Sequence, residues 1–411
     1  MGVLVALALG GLPAAGCGRT EAPAPSGQVA PAPAADPALQ ARIGDAVRAG
    51  MANGHLRVVI VKVTKGDQVL TRQAFGPSMG GVPATPDMHF RNGAIAFAYL
   101  GTLLMQFVDE RKVTLDDTVD HWMPDLPEAH TVTLKMLANQ TTGYPDFETD
   151  PAWLAAFNAD PFHLWTFEER LRYAFGRPMQ FPPGTNWRYA HTNFMILGEL
   201  LARIGGKPLD VLVREKVLDP MGLRNTAATQ TSEIPGPVLH TYSGERRPAL
   251  GVAARNTTFS EEATYWNTQW GTPIGANQTT TIDDLATTAV AVGAGSLSKP
   301  SYEAMTASNL LGFGHKEPAC EPSCFTQIPL YNFRLGVIRS GSWIMQNPQL
   351  SGFSATEAYL PSEKVAIAVA VTYLPQAFDA QGNFPNASDS LFRAIGAVVA
   401  PTDPPPALPP S

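Results

Sequence analysis

Charged side chains are scarce in this sequence, at 16% of 411 residues, and its Lys and Arg residues are scattered. A chain without a basic stripe cannot neutralise a run of phosphates, and the formal net charge of −7 agrees, so nucleic acid is excluded as a partner. Cysteine is nearly absent as well, with three residues in all. Cys320 and Cys324 have only His315 nearby, too few ligands for a metal site, so none is expected. In an exported protein their spacing suits a small disulfide loop. Long apolar runs are also missing from the body of the chain. Ala94 to Val108 is apolar on nearly every face but falls short of the ~18 residues that suggest a membrane span, so it reads as a buried core helix. Hydrophobic residues still make up 45% of the chain, enough for a sizeable core arranged as one large domain or two subdomains.

Proline is plentiful, with 37 residues, many of them crowded near the termini. Met1 to Cys17 holds the apolar run Val3-Leu4-Val5-Ala6-Leu7-Ala8-Leu9 and ends in Ala14-Ala15-Gly16-Cys17, the pattern of a secretory signal. A cysteine directly after Ala-Ala-Gly looks like a bacterial lipobox, although no Lys or Arg precedes the run and Ala14 stands where Leu is usual. The expectation is a lipid on Cys17 that anchors an exported protein to the extracytoplasmic face of a membrane. Residues 18–36 form a Pro/Ala-rich linker that cannot build a core, and residues 401–411 are a second Pro-rich tail expected to lie outside the fold.

Between these ends the pattern is folded throughout. Leu39, Ile43 and Val47 recur at helical spacing from Pro37 to Met51. His55 to Val63 and Gln68 to Phe75 flank Lys65-Gly66-Asp67, a hairpin signal. Helical patterns dominate from Thr131 to Met305. Ser354 to Leu360 and Val365 to Tyr373 make a second hairpin, and Ala387 to Val399 a closing helix. The fold class this predicts is α/β of the α+β kind: one antiparallel sheet shared by the two ends, flanked by helices, with a helical insertion. The expected division is an α/β subdomain over 37–120 and 320–400 and a mainly helical one over 121–319.

The chemistry-bearing stretches occur in a fixed order. His89-Phe90-Arg91-Asn92-Gly93-Ala94-Ile95-Ala96-Phe97 comes first, then Lys112-Val113-Thr114-Leu115-Asp116-Asp117 and Met123-Pro124-Asp125-Leu126-Pro127. Thr133-Leu134-Lys135-Met136-Leu137, Gln140-Thr141-Thr142-Gly143-Tyr144, Pro183-Gly184-Thr185 and Tyr189-Ala190-His191-Thr192-Asn193 follow. In this order they resemble the serine β-lactamase-like family, which includes D-alanyl-D-alanine carboxypeptidases, class C β-lactamases and related esterases. The resemblance implies a β-lactamase/penicillin-binding-protein-like fold and hydrolase chemistry that needs no cofactor. In that family a serine opens a helix, where the positive end of the helix dipole favours an alkoxide. A lysine three residues on takes its proton, and the tyrosine of Tyr-x-Asn adds a second relay. A strand bearing Lys/His-x-Gly lines the oxyanion site.

This chain keeps the frame and departs at the chemical positions. Ala94 stands at the serine position and Phe97 at the lysine; Tyr189 is retained, and His191 replaces the asparagine. Gln346-Asn347-Pro348 occupies the third motif. Acyl-enzyme chemistry is therefore not expected here. Thr142, Tyr189, His191, Trp270 and Asn347 remain as candidates to line a ligand cleft. Ser296-Leu297-Ser298-Lys299 spells Ser-x-x-Lys but reads as a chance match in a loop. The leading expectation is an inactive relative that binds a cell-wall peptide or an envelope protein. The alternatives are an active hydrolase with a displaced nucleophile, and a surface protein whose cleft does nothing.

Overall fold

In the computed structural model, residues 36–409 are described, except 230, 254, 267–270, 308–309 and 321. Cys17, the signal-like run and the linker up to residue 35 therefore lie outside the described residues, as does Trp270.

Asp36 accepts a hydrogen bond from the Ala38 amide and Pro37 fills the first helical position, which together start α1 (Pro37–Asn53). The strands β1 (Leu56–Lys65) and β2 (Gln68–Phe75) follow, then the short β3 (Phe90–Arg91), which runs directly into α2 (Ile95–Asp109). A helical stretch comes next: α3 (Leu134–Asn139), α4 (Pro151–Ala159), α5 (Phe167–Phe175), α6 (His191–Gly205) and α7 (Leu209–Val213). Four short strands interrupt it, β4 (Ala227–Ala228), β5 (Tyr242–Ser243), β6 (Glu261–Glu262) and β7 (Gln278–Thr280). Helices α8 (Ile282–Ala294) and α9 (Lys299–Ala307) lead back to strands. These are β8 (Asn332–Phe333), β9 (Ile338–Ser340), β10 (Trp343–Gln346), β11 (Gln349–Leu350), β12 (Phe353–Leu360) and β13 (Val365–Tyr373), with α10 (Ala387–Val399) last.

The main sheet runs β2-β1-β13-β12-β10-β9-β8, antiparallel throughout, with β11 on β12. Val59 of β1 lies opposite Val371 of β13, so the two ends of the chain share one sheet, as the sequence pattern leads one to expect. Every residue of β12 and β13 is buried, because helices cover both faces. The alternation along β12 makes this concrete. Thr356 pairs with Ser388 on α10, whereas Tyr359 packs against Gly293 on α8.

Helix α2 is the molecule's axis: twelve of its 15 residues are buried. Its all-round apolar pattern fits a helix enclosed by α6, α7 and α9. No helix among the described residues is long and apolar enough to cross a membrane.

One expectation needs correction. The Pro-rich C-terminal segment docks on the fold as far as Pro406. Asp403 accepts a hydrogen bond from the Trp343 indole N–H, and the Pro406 carbonyl accepts one from Arg393. Pro405 packs over Gly396, where a Cβ would come within 2.5 Å of its ring. A proline lacks an N–H to satisfy and loses little backbone freedom on docking, so such a segment suits the surface of a finished core.

Candidate functional site

Three segments converge on a cavity of about 240 Å³. The first is the opening of α2. Gly93 has φ +54°, and a Cβ there would lie 2.8 Å from the Pro348 Cβ, so only glycine lets this turn approach the end of β10. Ala94 follows at the helix boundary, its methyl on the cavity wall, with no side chain capping the helix. One turn on, Phe97 is fully buried. Its ring stacks on Phe194 at 3.9 Å between centroids and 7° between planes, with Tyr189 at 6.0 Å and His191 at 6.1 Å.

The second segment is the turn into α6. Gln140 holds it from behind, its side-chain oxygen accepting from the Ala190 amide at 3.0 Å and from the Asn193 side chain at 2.6 Å. Thr142 donates to Asn193 at 2.6 Å and accepts from the Tyr144 amide. This network presents Tyr189 and His191 to the cavity. Burial pushes the Tyr189 phenol well above its ordinary value, with the charges of Tyr331, Glu148 and Asp146 adding to it.

His191 Nδ1 lies 3.1 Å from Asp146 Oδ2 and 3.1 Å from Glu148 Oε2. The two carboxyls behave oppositely. For Asp146 burial acts upward, but His191 and then Arg188 outweigh it and hold the group below the usual range. For Glu148 burial and the neighbouring Asp146 charge act together and push it well up, against Arg170. Asp146 therefore carries the charge that orients His191. The three ligand-type atoms lie within 4.8 Å of one another and could hold a cation. Arg170 and Arg188 already supply positive charge to the same carboxyls, so the protein's own charges balance them.

The third segment is the end of β10. Gln346 is buried and donates to the Gly336 carbonyl at 2.6 Å. The Asn347 carbonyl accepts from Asn386 at 2.7 Å, and Pro348 offers no backbone N–H. The cavity is completed by Gly271, Thr272, Tyr331 and Asn386.

An apolar residue at a helix opening, a Tyr-x-His turn and a strand end facing it make up the frame that the sequence motifs suggest. A family model described as Beta-lactamase matches residues 43–391. The chain belongs to the beta-lactamase family. Penicillin-binding protein 4 of Amycolatopsis lactamdurans is 29% identical over 171 residues, 40% of this chain and 42% of that protein. A D-aminopeptidase of Gluconobacter oxydans is 30% identical over 210 residues, 49% of this chain and 38% of that protein. The chain thus spans less than half the length of these relatives. Among solved structures, the fold is similar to a D-amino acid amidase from Ochrobactrum anthropi complexed with D-phenylalanine. That match has a TM-score of 0.72 at 20% identity and covers 88% of this chain and 99% of the other. A D-stereospecific amidohydrolase from Streptomyces sp. gives a TM-score of 0.69 at 21% identity, over 88% and 99%.

Ala94, Phe97, Tyr189, His191, Gln346 and Asn347, far apart in sequence, come together around the cavity. Thr142 does not line it: the side chain is fully buried and spent on Asn193 and Tyr144, so its candidacy as a cleft residue is corrected to a support of the Tyr189 turn. Ser296 is exposed in the bend after α8 and Lys299 is exposed at the start of α9, which leaves Ser296-x-x-Lys299 without an active-site setting. Cys320 and Cys324 form a disulfide. It backs the cleft, because Cys324 bridges to the Arg188 backbone immediately before Tyr189. The carboxyls Asp146 and Glu148 were not singled out from the sequence; a Pro-Asp-x-Glu step after the Gly143 turn was the only hint.

Proposed function

We propose that this chain is a catalytically silent member of the beta-lactamase family that uses the cavity to bind a cell-wall peptide or an envelope protein partner. It does so, on this reading, as an exported lipoprotein held to the membrane through Cys17. The observation that carries the reading is Phe97, stacked flat on Phe194 one turn beyond Ala94. Hydrocarbon fills the space in which the family keeps its amine, while the outer cavity stays open. An alanine at the nucleophile position has no group with which to form an acyl-enzyme, and a buried phenyl ring cannot relay a proton. An inert surface protein has no need for an open cavity with polar lining. The relatives' names point to D-amino-acid peptides and amides as ligands to try.

The test pairs two measurements. A fluorescent penicillin and a fluorophosphonate probe should leave the protein unlabelled, and muropeptides should bind saturably by calorimetry. Covalent labelling at any residue defeats the reading, as does a failure of all muropeptides and envelope extracts to bind.

A second reading has one observation behind it. Asp146 fixes His191 through Nδ1, and His191 lines the cavity, so the imidazole could serve as base toward a water molecule. Turnover of D-phenylalanine amide that disappears in His191→Gln would establish that route instead.

A further inference from the structure

Arg91 sits three residues before Ala94 and is buried, with 6% of its surface exposed. Its Nη2 donates to the Ser232 carbonyl. Its Nε and Nη1 have no hydrogen-bond partner among the described residues. Among the described residues no Asp or Glu pairs with it: burial pulls the guanidinium down to about 9, against a weaker influence from Tyr265. A buried cation with unused donors is costly unless something anionic meets it.

Arg91 lines a second cavity of about 30 Å³ with Leu239, Ala263, Thr264, Trp266 and Leu350. That is room for a water or two, or for the head of a carboxylate, but not for a bulky anion. The walls are mostly apolar. Leu350 lines both this space and the main cavity, so the two adjoin at its side chain.

We propose that the Arg91 cavity is a carboxylate subsite, taking the head group of a ligand whose apolar stem crosses Leu350 into the main cavity. The proposal deepens the binding role above by naming a feature of the ligand, and rests on it only in taking the main cavity as a place where ligand lies. Thr264 accepts from the Thr241 amide through a hydroxyl that can still donate, and Thr241 and Ser351 also line the space, so the guanidinium is its one positive charge and the group that tells an acid from its amide. Charge-assisted hydrogen bonds in a dry site discriminate strongly between an acid and its uncharged amide.

The probe is 3-phenylpropionate, with 3-phenylpropionamide as its neutral twin, titrated into the whole protein and followed by calorimetry and by thermal shift. The acid should bind saturably, and the amide at least tenfold more weakly. Arg91→Met should weaken the acid tenfold or more and leave the amide unchanged. Should that variant fail to fold, Ala263→Leu fills the same cavity with Arg91 in place and should abolish binding of the acid. Equal binding of acid and amide by the wild type, or no saturable binding of the acid, overturns the proposal without variants. A matching response to sulfate or chloride also overturns it, as a general anion effect. None of these outcomes depends on whether the protein acylates or binds muropeptides, so this proposal and the binding role can fail separately.

Discussion

The cavity has two contrasting walls. On the α2 side the family's chemical positions have become hydrocarbon: Ala94 borders the space and Phe97 seals against Phe194. On the α6 side the polar groups have been rearranged, with His191 held by Asp146 and Glu148, and Gln140 and Thr142 supporting the turn. A site decaying without constraint would be expected to lose polar order on both walls. Here one wall has been closed by packing while the other keeps a costly network of buried charge, which favours a cavity still used to hold something.

The largest expected effect lies at the sealed wall. Phe97→Lys places an ammonium in a fully buried aromatic stack, and should destabilise by about 3–5 kcal/mol. Ala94→Ser, on the open edge at an uncapped helix start, should stay within about 1 kcal/mol of wild type. Neither variant, nor the pair combined, should be acylated by a chromogenic cephalosporin. Melts of equal depth for the two substitutions would erase the contrast between packed depth and open rim.

Behind the end of β10 lies Glu357 of β12, opposite Gln346 and 1% exposed, its carboxyl raised to about 8 by burial. The folded state disfavours the charged form. Stability is thus full below the ordinary glutamate range and falls as pH rises from about 4.5 toward 8. Glu357→Gln should remove that slope and be more stable than wild type at pH 8, by roughly 2–4 kcal/mol, with little difference at pH 4. Denaturant midpoints at the two pH values decide it, and parallel profiles for both proteins would sink the claim.

Part of this was legible in advance. The hairpin of Ser354–Leu360 and Val365–Tyr373 announces itself through an apolar run around Pro361-Ser362-Glu363-Lys364, and the sheet built on it is the one observed. Ala94, Phe97, Tyr189 and His191 could be read because each sits inside a local motif. Tyr331, Asn386 and Gly271 could not, because loops deliver them and only the tertiary fold sets where loops meet. Thr142 shows the converse failure. Its motif was recognised, but whether a hydroxyl faces a cavity or a neighbour depends on Asn193, fifty-one residues on. Arg91 was quoted as part of a motif, yet its missing partner is a property of packing alone.

The rewired wall predicts an acid limb. Asp146 is held below its ordinary range, so its contribution is present above the ordinary aspartate range and lost as pH falls through the depressed folded value. Asp146→Asn should cost about 2–3 kcal/mol at pH 7, because His191 loses its charged partner, and the loss should fade toward pH 2. Wild-type stability at pH 7 in this variant would mean that Glu148 alone suffices to hold the ring.

A small effect should also come from the disulfide behind that same wall. Cys320 and Cys324 close a loop of sequence separation 4, and so short a loop restrains the unfolded chain by about 2 kcal/mol or less. Both sulfurs are buried beside Phe181, and Cys324 pairs with Arg188, whose side chain reaches Thr149 near Asp146. Reduction should therefore lower the melting temperature only slightly. Its more telling consequence is positional, since a loosened Arg188 would relax the segment that carries Tyr189 and His191. Muropeptide affinity measured with and without reductant, against a Cys320→Ser/Cys324→Ser variant as the redox-blind control, separates the two effects. A large drop in stability with unchanged affinity would make the bond a staple of the fold and break its link to the cavity.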